Sequence, residues 1–114
     1  MVIGLFQSAA DAALCLDNLA EADFGPQTVS LVMKTRQEVE AIADVSGPWS
    51  DLSVDKLPAK LVGFGLSPED VAEYEQGVLA GGVFIAISAG EAEDAAAEML
   101  RDARARAIRQ IKSV

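Results

Sequence analysis

Few side chains in this 114-residue chain have types that chemistry uses: one tyrosine, Tyr74; one thiol, Cys15; one tryptophan, Trp49; and close acid pairs, Glu69 with Asp70 and Glu73 with Glu75. Paired carboxylates serve general acid–base catalysis or hold a hard cation such as magnesium. With 18 acids in 114 residues, neighbours arise by chance, and helix-end or solvated-face roles account for these pairs. A thiol becomes a nucleophile only as a thiolate, open to solvent and beside positive charge. Cys15 falls on the apolar side of a helical pattern, so its spacing predicts a packed, inert thiol. Histidine is absent, which removes the commonest general base and the commonest zinc ligand together. Gly63, Gly65, Gly81 and Gly82 make no phosphate loop, since none is followed by the required lysine and hydroxyl residue, and no dinucleotide fingerprint follows the first apolar run. No catalytic residue, no metal-ligand set and no cofactor are therefore expected.

Two candidate ligand contacts remain, Trp49 and Tyr74. Trp49 stands between Val45 and Lys60, where periodicity is lost and Gly47, Pro48 and Pro58 break regular structure. It either pins that loop to the body or stacks on a ligand. Tyr74 comes on the inner side of a helical pattern, and either packs with its hydroxyl satisfied at the rim or offers that hydroxyl to a ligand. A binding module or enzyme for a small apolar or acyl ligand, with its pocket between the sheet and the Trp49 loop, is one functional expectation.

The elements that would position these residues follow from apolar periodicity. Val2 to Phe6 reads as a strand, and Ser8 with Asp11 begins a helix whose Ala12, Cys15, Leu16 and Leu19 share one side, with Leu14 on the polar side. Phe24, Gly25 and Pro26 turn the chain into a second strand that alternates Val29, Leu31 and Met33 with Ser30, Val32 and Lys34. Thr35 and Glu38 form a capping box for a short helix to about Asp44. Ser67, Pro68, Glu69 and Asp70 open a helix carrying Val71, Tyr74 and Val78 inward, closed by Gly81 and Gly82. Val83 to Ile87 reads as a central strand. Glu91 to Arg104 is an amphipathic helix with Ala92, Ala95, Ala96, Met99 and Ala103 facing in, and Ala105 to Ile111 a last strand.

The expected fold is a single α+β domain over residues 1–114, a ferredoxin-like split βαβ antiparallel sheet with an insertion at about 35–81 between the second and third strands. Because Val2–Phe6 and Val83–Ile87 are apolar throughout, both sheet faces must be covered. The insertion is one available cover. A second copy is the other, hence the expectation of a homo-oligomer through the sheet face.

Nine basic against eighteen acidic side chains, net −9, repel phosphate backbones and anionic lipids, so no nucleic-acid partner is expected. The basic stripe Arg101, Arg104, Arg106, Arg109 and Lys112 reads as a solvated face. No apolar run reaches the length of a membrane span. One cysteine and no secretory leader point to a reducing cytoplasm.

Residues 2–24 and 65–88 resemble the small domain of bacterial heat-induced or general stress proteins, through an opening strand and Ala/Asp-rich helix and then Gly65, Leu66, Pro68, Glu69, Asp70, Tyr74, Gly81 and Gly82 ahead of an apolar strand. The resemblance implies a ferredoxin-like domain linked to stress responses, with no catalytic residue to carry over. Many of those proteins have a glycine- and alanine-rich insert associated with membranes, whereas Val45 to Lys60 here is short and polar. The functional expectation is a non-enzymatic, self-associating cytoplasmic domain.

Overall fold

The computed structural model describes residues 1–25, 28–42, 53–88 and 90–111. In chain order these form β1 (Val2–Phe6), α1 (Ala9–Glu21), β2 (Val29–Val32), α2 (Arg36–Ile42), α3 (Leu57–Gly63), α4 (Pro68–Leu79), β3 (Val83–Ile87), α5 (Glu93–Asp102) and β4 (Arg106–Gln110). The fold is α+β, with one open, four-stranded antiparallel sheet in the order β2-β3-β1-β4. The two all-apolar strands are paired neighbours, Val2 opposite Ile87 and Phe6 opposite Val83. β1 and β2 flank β3 and run the same way, and β3 and β4 flank β1 likewise. Two strand–helix–strand units therefore interlock, each split by a strand of the other.

Successive strand residues point to opposite faces, so β1 and β3 serve two cores at once. Val2, Phe6, Val83, Ile85 and Ile87 pack with Ala12, Cys15 and Leu19 of α1 and Ala96, Ala97 and Leu100 of α5. Ile3, Leu5, Phe84 and Ala86 pack on the other side with Val54, Leu57, Leu61, Val71, Tyr74 and Val78. The second face is thus roofed from within by α3, α4 and the 3-10 turn Val54–Lys56 that leads into them. The cover that this face of the sheet requires is supplied by the chain itself, without a second copy.

Helix starts follow the capping logic. Ser8 Oγ accepts from the Asp11 amide, Thr35 Oγ1 from Glu38 and Ser67 Oγ from Asp70, each at 3.3 Å. At the far end of α4, Gly81 takes φ +101°, the left-handed conformation that stops a helix.

Two expectations are corrected. Val45 to Lys60 is not irregular to its end: a 3-10 turn and the first half of α3 occupy 54–60. Pro58 lies in the first turn of α3, where its missing N–H breaks no helical hydrogen bond, so it begins this helix rather than interrupting one. In α5 the inward face is Ala96, Ala97, Leu100 and then Ala103, while Ala92 and Ala95 are exposed and Met99 is only partly buried. Residues 90–92 form a 3-10 turn with three residues per turn, so the α-helical phase starts at Glu93 and the buried stripe is rotated. Expectations resting on Ala43, Asp44, Trp49 and Lys112 lie outside the described residues.

Candidate functional site

The β1–β4 pairing carries an irregularity that shapes one corner of the molecule. Ile3 pairs with Arg109 and Leu5 with Arg106, so Ala107 and Ile108 together oppose Gly4 in a β-bulge. Ala107 takes φ +52°, a left-handed conformation that costs a non-glycine residue about 1–2 kcal/mol. The Tyr74 hydroxyl donates to the Ala107 carbonyl and so ties α4 to the bulge. The Tyr74 ring is fully buried and meets Phe84 edge-on, centroids 5.5 Å apart at 86°.

Arg109 fastens the same corner. Its Nη2 lies 2.8 Å from Asp70 Oδ1 and 3.8 Å from Glu73 Oε1. Asp70 is thereby committed to an ion pair, and among the described residues no group of three or more His, Cys, Asp or Glu side chains is placed to hold a metal ion. Arg109 Nε is the buried side-chain atom, among the described residues, that finds no hydrogen-bond partner.

Beside this bracing lies a cleft of about 400 Å³ between α4, the C-terminal end of β1 and the start of β4. Leu5, Ala80 and Ala107 supply its apolar side chains, Phe6 borders it while its ring is buried in the core under α1 and α5, and Gln7, Glu73 and Arg106 supply the polar groups. Gly77 and Gly82 form the rest of the lining, and both owe their identity to close approach. A Cβ on Gly77 would stand 2.2 Å from Leu5 Cδ2, and one on Gly82 would stand 2.6 Å from the Phe6 carbonyl oxygen. α4 therefore rides low over β1.

The two potential nucleophiles are disarmed. Burial pushes the Cys15 thiol from 9.0 up to about 11. Burial likewise raises the Tyr74 hydroxyl from 10.0 to about 12, opposed by the adjacent Arg109 guanidinium and assisted by Glu73 and Asp70. Both groups are neutral at physiological pH and closed to solvent.

The structure thus places Tyr74 behind the cleft wall, bracing Ala107, and Trp49 lies outside the described residues. Leu5, Gly77 and Ala107 were not singled out as site residues from the sequence, and Arg106 was read only as part of a solvated basic stripe. Gly77 inside a helical pattern was the available signal, because an interior glycine marks close packing. No family model, curated protein or solved structure matches this chain. No helix among the described residues is long and apolar enough to cross a membrane.

Three expected results test this corner. Ala107→Gly relieves the left-handed alanine and raises stability by about 0.5–1 kcal/mol after glycine's larger chain entropy is subtracted; urea melts showing a loss would contradict the bulge geometry. Tyr74→Phe removes the hydroxyl and leaves the Ala107 carbonyl unserved, for a loss of about 1–2 kcal/mol in the same melts. The third concerns pH. Cys15 and Tyr74 hold their protons more tightly folded than unfolded, so the stability linked to them is whole below pH 9 and is lost as pH rises through about 11 and 12. Each contributes roughly 2–3 kcal/mol across that window. Melting temperature against pH should therefore fall above pH 9, and Cys15→Ala should remove part of the fall; an unchanged slope would rule the thiol out.

Proposed function

We propose that this chain is a non-enzymatic, ferredoxin-like domain that binds a small, largely apolar ligand in the cleft between α4, β1 and β4. One observation carries the proposal: a cleft of about 400 Å³ with an apolar wall and three polar side chains around it. That volume lies within the roughly 300–1,000 Å³ range of small-molecule sites, and such sites combine apolar walls with few polar groups. The ferredoxin-like arrangement is supported by the two interlocked strand–helix–strand units with α1 and α5 on one face. A non-enzymatic role is supported by the two buried, protonated nucleophiles and by the engagement of Asp70 with Arg109. The likeness of residues 2–24 and 65–88 to stress-protein domains suggests a stress-linked role in a reducing cytoplasm.

The cleft is tested by nuclear magnetic resonance titration of the labelled protein with a library of small apolar and acyl compounds. Binding should move the amides of Gly77, Gly82 and Ala107. Gly77→Ala should abolish it, because the new methyl group drives the flexible Leu5 side chain into the free volume. Ala80→Trp, at an exposed position on the lip, gives a second obstruction that leaves α4–β1 packing alone. Amide shifts confined to other parts of the molecule would reject the cleft.

Self-association is a second reading, and its support is now the exposure of Leu14, Val62 and Leu79, at 58%, 57% and 46%. Sedimentation at high concentration decides it: a strictly monomeric species removes it, and association abolished by Leu14→Lys with Leu79→Lys sustains it.

A further inference from the structure

The cleft carries charge of both signs, and neither charge is fully answered from within the chain. Arg106 is exposed and makes no ion pair among the described residues. Glu73 sits 3.8 Å from an Arg109 guanidinium that is already bound to Asp70 at 2.8 Å. Glu73 also shares the cleft with Gly77 and Ala80 at the C-terminal end of α4, where the aligned peptide dipoles leave partial negative charge. A simple anion drawn to Arg106 would meet Glu73 and the helix end. A simple cation drawn to those would meet Arg106. A neutral apolar molecule would leave both charges without a ligand partner.

A small zwitterion answers all three features, and an apolar side chain on it answers the wall of Leu5, Ala80 and Ala107. We infer that the cleft takes an α-amino acid with an apolar side chain, its carboxylate toward Arg106 and its ammonium toward Glu73 and the end of α4. This rests on the cleft being a binding site and adds the class of ligand.

The experiment titrates the labelled protein with L-leucine, L-phenylalanine, 4-methylpentanoate and isopentylamine, following the amides of Gly77, Gly82, Arg106 and Ala107. The two amino acids should bind at the cleft, with the anion-only and cation-only analogues of leucine at least tenfold weaker. Arg106→Gln and Glu73→Gln, both at exposed side chains, should each weaken the amino acids about tenfold, and Glu73→Gln should strengthen 4-methylpentanoate. Either singly charged analogue binding as tightly as leucine would overturn the zwitterion while leaving the cleft as a site. Cleft amides that respond to none of the four probes, nor to the apolar and acyl library, would overturn both.

Discussion

Gly82→Ala should lose about 3 kcal/mol or more of folding stability, the upper end of what overpacking a tight site costs. The added methyl carbon would lie 2.6 Å from the Phe6 carbonyl oxygen and 2.7 Å from that of Gly77. Both obstacles are backbone, so no side-chain rotation can relieve them. Either the end of β1 must leave the start of β3, or α4 must lift from the sheet and break the bond from the Gly82 amide to the Gly77 carbonyl, now 2.9 Å. Measured against a domain stability of about 5–15 kcal/mol, such a loss shows readily in urea unfolding. Gly63→Ala is the internal comparison. Gly63 lies in α3, and a methyl group there meets nothing within 4 Å. That substitution should gain about 0.5–1 kcal/mol from backbone entropy alone. Two glycine-to-alanine changes are thus expected to move in opposite directions, and equal effects would contradict the packing of α4 on β1.

Leu61→Ala should lose about 2–5 kcal/mol, as truncation of a fully buried leucine does. The further consequence concerns association. α3 has seven residues, too few to hold a helix in water without tertiary packing. Leu57 and Leu61 are its fully buried anchors, in one cluster with Ile3, Val32, Phe84 and Ala86 of the sheet. A Leu57→Ser, Leu61→Ser double variant should therefore release the roof over that face. Exposed apolar sheet seeks another surface, so the variant is expected to bind a hydrophobic dye and to sediment as a larger species than the parent. An unchanged monomer with unchanged stability would show that α3 is not the roof.

How much of this was legible in the sequence differs from element to element. The three side-chain caps at Ser8, Thr35 and Ser67 were readable because each acts on an amide three residues away. So were the inward positions of α1 and α4, where a regular 3.6-residue period starts cleanly at a cap. The phase of α5 was misread because alanines are apolar enough to fit several stripes and a 3-10 turn shifts the start. α3 was missed because Gly47, Pro48 and Pro58 suggested a break, and a seven-residue helix gives too few turns for a period to declare itself.

The cleft was not legible at all. Its residues come from β1, α4 and β4, and Arg106 looked like one more member of a solvated basic stripe. Which side of β4 faces α4 depends on a bulge, and the bulge on a pairing between the two ends of the chain.

What the sequence determined by itself is therefore local. It set the strands by their apolar runs, the helix starts by their caps, the need for shelter on both sheet faces, and the absence of histidine chemistry. The tertiary structure alone decided that the chain shelters its own second face, that Tyr74 braces a strained alanine, and that Glu73 and Arg106 share a cleft. Those are contacts between residues tens of positions apart, and their distances depend on sheet register and helix depth, which no single element encodes.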